Sequence, residues 1–125
     1  MCPSSHKSLR GLRPGAARHN CRRSTPGMNK LESSFAAYLE KRRLAGEVLD
    51  YRYESLRLRL APKTFYTPDF FVALPTEFQV YEVKGHWEDD ARVKIKWAAQ
   101  LYWYFRFFGV RQEKREGWVF EEFGL

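Results

Sequence analysis

Cysteine is nearly absent from these 125 residues: Cys2 and Cys21 are the only two, and both fall within the first 27 positions. Nothing beyond residue 27 can be closed on itself by a disulfide. The remainder must be held by its core alone, which suits a reducing compartment. Cys2, His6, His19 and Cys21 lack the CxxC and HxxxH spacings of compact zinc sites, so zinc is not expected there. No apolar run approaches the ~18–20 residues that a membrane-crossing helix needs. The apolar stretch of a secretory signal is missing too, and no internal repeat is visible.

Acid is missing from one place. Residues 1–27 hold Lys7, Arg10, Arg13, Arg18, Arg22 and Arg23 but no Asp or Glu, so this segment carries +6 of the total net charge of +7. Residues 1–27 are rich in Gly, Pro, Ser and Arg without periodicity and read as a basic disordered N-terminal tail. A basic arm on a nearly neutral body points to a polyanionic partner; a merely solvated extension has the same composition. The segment also has the Arg- and Ser-rich make-up of an organelle transit peptide, and Met28 offers an alternative start of translation. Residues 28–125 read as one domain, rich enough in aromatics to fill a core: the chain has 10 Phe, 7 Tyr and 4 Trp.

Its elements follow from periodicity. "NKLESSFAAYLEKRRLAG" reads as a helix, with Asn29 as N-cap, Glu32 three residues on and Gly46 past the end. Leu31, Phe35, Tyr38 and Leu39 form its apolar stripe. Leu56, Leu58 and Leu60 alternate with polar residues as in a half-buried strand. "APK" reads as a turn, and "TFYTPDFFVAL" and "EFQVYEVK" as strands joined by "PTE" in a hairpin. "DDARVKIKWAAQLYWYF" reads as a second helix whose buried stripe is Val93, Trp97, Leu101 and Tyr104. "RFFGVR" and "GWVFEEF" close the chain as strands. The order gives an α/β fold, a mixed β-sheet flanked by helices.

Three ionisable groups interrupt the apolar strands. Side chains alternate along a strand, so Glu82 and Lys84 share a face with Phe78 and Val80, and a helix should cover that face. Asp69 lies on the neighbouring strand. A plain Glu82–Lys84 ion pair explains two of the three and leaves Asp69 without a role. Converging carboxylates stay ionised around a hard cation such as Mg²⁺ or Mn²⁺, which takes oxygen ligands. With a lysine beside them they are the parts of a metal-assisted phosphodiester hydrolase. The short pattern alone suits a plain α/β domain equally well.

The longer pattern adds a resemblance. "KLESSFAAYLE", "YTPDFFV" and "EVKGHWEDDARVK", in this order over roughly residues 29–111, resemble the PD-(D/E)xK nuclease superfamily. More narrowly they are similar to the phage endonuclease I group of Holliday junction resolvases and to related small phage endonucleases. The resemblance implies a restriction-endonuclease-like core and a divalent-metal-dependent DNA endonuclease, structure-selective on branched DNA. It implies a phage or prophage protein in the cytoplasm of a bacterial host. Asp69, Glu82, the backbone carbonyl of Val83 and Glu32 are the implied metal ligands, and Lys84 positions the attacking water or faces the transition-state charge. Glu32 has a competing use in the capping box with Asn29.

Arg57, Arg59, Lys63, Arg92 and Lys96 are the expected DNA contacts; a solvated basic face accounts for Arg57, Arg59, Arg92 and Lys96 equally well. His86 reads as a loop residue, Trp87 as packing under the second helix, and Asp89 and Asp90 as its caps. The expected partners are DNA and a second copy of the chain in a homodimer, with no membrane. A DNA-binding protein that keeps the fold without catalysis is the alternative. If the arm touches DNA, a chain starting at Met28 folds and binds with a shallower salt dependence. The log–log slope on duplex DNA then falls by ~0.9 for each phosphate that the arm had neutralised. Salt titration of duplex binding checks it, and an unchanged slope removes the arm from the interface.

Overall fold

The computed structural model describes residues 27–124. The expected tail, apart from Gly27, and the cysteines and histidines within it lie outside the described residues. Helix α1 spans Lys30–Leu44 and begins with a complete capping box: the Asn29 side chain accepts from the Glu32 backbone, and the Glu32 carboxylate accepts from the Asn29 backbone. Its C-cap is Ala45, and Gly46 follows with φ of 86°, a left-handed conformation that ends helices at little cost in glycine. Strands β1 (Asp50–Tyr53), β2 (Leu58–Ala61), β3 (Thr64–Tyr66), β4 (Phe70–Ala73) and β5 (Phe78–Val83) follow. Helix α2 (Asp89–Leu101), β6 (Arg106–Glu113) and β7 (Gly117–Phe123) complete the described chain.

Five strands form one mixed sheet in the order β1-β4-β5-β6-β7. The β1–β4, β4–β5 and β6–β7 pairs are antiparallel, and β5–β6 is parallel. A parallel pair needs a long crossover, and α2 is that crossover. β2 and β3 form a separate antiparallel hairpin that turns at Pro62 and Lys63 and packs on α2. The fold is thus α/β, with a mixed five-stranded sheet and, among the described residues, two helices.

The sheet has a core on each face. On one, Phe35 and Leu39 of α1 meet Phe70, Val72, Tyr81, Val83 and Val110. On the other, Ile95, Ala98 and Ala99 of α2 meet Val80, Phe107 and Phe123, and the hairpin adds Leu58, Leu60 and Tyr66. Alternation along β5 separates the cores: Tyr81 and Val83 face α1, while Val80, and Glu82 with it, face α2.

Several sequence expectations need correction. The run ending in Leu60 is not one strand: β1 precedes it and joins the main sheet, and Leu56 lies outside β2. "TFYTPDFFVAL" is likewise broken, since Thr67, Pro68 and Asp69 leave the ladder and put β3 and β4 in different sheets. Most consequentially, α2 buries Ile95, Ala98 and Ala99, and its expected stripe of Val93, Trp97, Leu101 and Tyr104 is exposed. Small alanines let α2 approach the sheet closely, and the larger side chains are left outside. Asp89 and Asp90 lie in the first turn of α2 but do not cap it; the N-cap is Glu88, which makes no side-chain cap bond.

Trp87 packs as expected, beside Phe123, with Gly109 beneath it. A Cβ built on Gly109 would stand 2.6 Å from the Trp87 ring and 2.9 Å from the Phe123 ring, too close for either. Gly109→Ala should therefore destabilise the fold by about 1–3 kcal/mol through overpacking. Urea denaturation measures it, and unchanged stability would mean that Trp87 is free to move off the sheet.

Candidate active site

The ends of β4 and β5 set the geometry. Phe70 pairs with Tyr81, so Asp69, one residue before β4, stands beside Glu82. Pro68 precedes it, buried, with no N–H to offer the ladder. The freed segment lets the Asp69 side chain turn onto β5. Its Oδ2 accepts from the backbone N–H of Val83 at 2.9 Å, and its own carbonyl accepts from the N–H of Glu54 at 2.8 Å. The other carboxyl oxygen, Oδ1, has no hydrogen bond among the described residues. Asp69 as a residue is 6% exposed, so its carboxyl group is largely withdrawn from water.

Glu82 is equally buried. Its Oε1 accepts from the Tyr66 hydroxyl at 2.6 Å, and its Oε2 lies 3.2 Å from the Lys84 ammonium. Lys84 sits one residue past β5, where its backbone N–H donates to Val110 at 3.0 Å. Its side chain is about one-third exposed, so the ammonium joins the buried pair to solvent.

Glu32 arrives from the other face of the sheet, at the first turn of α1. Its Oε1 accepts from the Asn29 N–H and from the Tyr53 hydroxyl, both at 3.0 Å. The capping use of Glu32 is therefore realised. Its charge still reaches Asp69 and Lys84. Among the described residues no three Asp, Glu, His or Cys side chains are arranged to hold a metal ion. Glu40 is tied to Arg43 and Tyr51, away from this place.

The electrostatics follow from burial. Asp69 is pushed up to about 8, first by desolvation and then by the charge of Glu82; the Val83 N–H and Lys84 oppose this. Burial also pushes Glu82 up, against the Tyr66 hydroxyl and Lys84. Burial works against the Lys84 ammonium, but Glu82, Asp69 and Glu32 together raise it, so it stays charged. Burial and then Glu82 hold the Tyr66 hydroxyl firmly protonated, as burial and then Glu32 do for Tyr53. Both tyrosines are therefore fixed donors.

Such a pair suits a hard divalent cation. Both acids supply oxygen, one oxygen of the buried Asp69 has no partner among the described residues, and positive charge between the acids would relieve what holds both above their usual range. Mg²⁺ commonly takes one or two carboxylates and keeps several waters, so it does not need the convergence of Glu32.

The expected DNA contacts are spread over one side. Arg57 and Arg59 are exposed on or beside β2, and the Arg57 guanidinium lies 4.0 Å over the Phe65 ring. Lys63 is exposed at the hairpin turn. Arg92 and Lys96 do not act as a pair. Arg92 forks onto both carboxylate oxygens of Glu121 at 3.0–3.3 Å, whereas Lys96 is exposed and forms no ion pair among the described residues. His86 is exposed in the loop before α2. Sequence reasoning missed Tyr53 and Tyr66. A tyrosine in an apolar strand needs a partner for its hydroxyl, and that need was the available signal. No family model, no curated protein and no solved structure matches this chain.

The pH dependence has a definite sign. A carboxyl raised in the folded state binds protons that the unfolded chain has already released. Stability is then full below the ordinary carboxylate range and falls as pH rises toward about 8. Metal-free protein should lose several degrees of Tm between pH 5 and pH 8, and Asp69→Asn should flatten that slope. Thermal unfolding followed by circular dichroism with a chelator checks both; a parallel slope in the variant would place the protons elsewhere.

Proposed function

We propose that the chain is a divalent-metal-dependent DNA endonuclease with a restriction-endonuclease-like core. The observation that carries the reading is the buried Asp69–Glu82 pair, with one unpartnered Asp69 oxygen and Lys84 3.2 Å from Glu82. A structural ion pair accounts for Glu82 and Lys84 but gives Asp69 only the Val83 N–H on one of its two oxygens. The succession of motifs from "KLESSFAAYLE" to "EVKGHWEDDARVK" supports the same reading.

Asp69 and Glu82 would hold Mg²⁺ or Mn²⁺, with the Val83 carbonyl as a further oxygen. The bound cation supplies Lewis-acid stabilisation of charge on the phosphate and a lowered pKa for water. The Val83 N–H fixes Asp69 and the Tyr66 hydroxyl fixes Glu82, so both ligands are oriented beforehand. Lys84 directs its ammonium toward the attacking water or the developing negative charge. Water would add to phosphorus as the bond to the 3′ oxygen breaks, and the proton that the water loses would pass through solvent to the departing 3′ oxygen. Glu32, held by Asn29 and Tyr53, acts on this site through its charge. The finer reading is a phage enzyme selective for branched DNA, acting as a two-fold homodimer so that two sites cut together.

With Mg²⁺, Asp69→Asn and Glu82→Gln should each lower plasmid cleavage by at least about 100-fold while DNA binding persists. Lys84→Ala should lower the rate but keep metal binding by calorimetry. Tyr66→Phe should lower cleavage less, about tenfold, through a looser Glu82. Wild-type cleavage by Asp69→Asn would remove the assignment. A wild-type chain that binds DNA and never cuts it with Mg²⁺ or Mn²⁺ would be the non-catalytic alternative.

A further inference from the structure

The outer side of α2 is apolar where solvent favours charge. Val93, Trp97 and Leu101 succeed one another at helical spacing and stand exposed, and in the turn just past the helix Trp103 is 72% and Tyr104 58% exposed. Trp103 and Tyr104 meet edge to face at 5.5 Å; Tyr104 also packs against Phe105 at 5.0 Å and Tyr102 at 6.1 Å, so it buttresses the shoulder while Trp103 is the more open ring. Contiguous exposed aromatics of this size mark an interaction site.

The surroundings indicate the charge of the occupant. Arg57, Arg59, Lys63, Lys94 and Lys96 form no ion pair among the described residues. Arg92 and Arg106, by contrast, are neutralised by Glu121 and Glu122. Lys30 and Lys41 on α1 and Lys114 and Arg115 at the β6–β7 turn are likewise without an ion pair among the described residues, but the five on α2 and the hairpin, Arg57 among them over the Phe65 ring, are the ones on the two elements packed together here. Lys96, Gln100 and Trp103 also line a groove of about 530 Å³ between α2 and β7, with Phe123 among its apolar residues and with Glu121 and Glu122, which Arg92 and Arg106 hold in ion pairs, on its β7 side. The hairpin joins this region to the carboxylates: the Tyr102 hydroxyl donates to the Arg59 carbonyl at 2.8 Å, and Tyr66 of the same hairpin donates to Glu82.

We propose that the Trp103–Tyr104 shoulder and the adjoining groove seat unpaired bases of single-stranded DNA, with Lys96, Arg57 and Arg59 on its phosphates. Cations alone would serve a duplex, whose bases are stacked and give nothing to an exposed ring. Exposed aromatic rings beside cations that no carboxylate neutralises are the two halves of a single-strand platform. A second copy on a two-fold interface would set these cations against the same cations, whereas a single strand engages cations and rings together. The proposal goes beyond the cleavage reading and stands without it.

The test uses the full chain with a chelator, so that cleavage does not intervene. A labelled oligo(dT) is titrated by anisotropy alongside a duplex of equal length, and intrinsic tryptophan fluorescence is read in parallel. Oligo(dT) should bind more tightly than duplex and quench the tryptophans. Trp103→Leu and Tyr104→Leu, which keep the surface apolar, should each weaken it about 5- to 100-fold. Trp103→Phe should restore most of the affinity, and Lys96→Ala should reduce the log–log salt slope by ~0.7. Wild-type affinity in both leucine variants overturns the proposal, as does duplex binding that is equally tight without quenching. A concentration-dependent dimer in sedimentation, abolished by Trp97→Ala, overturns it in favour of a second copy on this face.

Discussion

A single hydrogen bond, from the Val83 N–H to Asp69 Oδ2 at 2.9 Å, ties an aspartate just outside one strand to the end of the next. It brings two carboxylates together in a place that water scarcely reaches. Everything nearby answers to that juxtaposition. Pro68 lifts the chain off the ladder so that Asp69 can turn, Tyr66 gives Glu82 a neutral donor, and Lys84 brings the one ammonium. Removing either strand end, or the hairpin that carries Tyr66, would leave a buried charge with less to hold it. The separate β2–β3 sheet is therefore more than a cover for α2, because it orients the site.

Much of this was legible in the sequence where local and global demands agree. The first helix carries its start and stop signals in Asn29, Glu32 and Gly46, and its stripe at helical spacing, so its extent and buried face follow directly. The Glu82–Lys84 face and its helical cover follow from strand alternation and from the next amphipathic segment. The Asp69–Glu82 neighbourhood follows from the hairpin. Two carboxylates and a lysine could thus be brought together from the residues alone, through connections only a few residues long.

What was not legible depends on long-range choice. Hydrophobicity ranks Val93, Trp97 and Leu101 above Ala98 and Ala99 as core residues, yet α2 rests on the alanines. Close approach of helix and sheet selects small side chains, and Gly109 under Trp87 obeys the same need for room. Period alone finds an apolar face; it does not decide between two when the helix has both. β1 was hidden in "DYRYES" because its partner, β4, lies far along the chain and its polar residues blur the alternation. The two tyrosines escaped because their meaning lies in the acids they touch from other strands.

Glu32 brings local and global uses together. As a cap it belongs to α1, and as a charge it belongs to the end of the sheet, where it adds to the pressure on Asp69. Two acids there are held by tyrosine hydroxyls, Glu82 by Tyr66 on one face and Glu32 by Tyr53 on the other. Asp69, between them, is held by a backbone N–H. All three donors are neutral. They orient the carboxylates without cancelling their charge, which leaves Lys84 alone against three acids. An end of the sheet balanced in this way repels phosphate until positive charge arrives, and it takes up protons when none does. On the reading proposed above, the cation and the DNA phosphate arrive as complements, and the unpaired cations of the hairpin and α2 hold the strand beside a site that would otherwise turn it away.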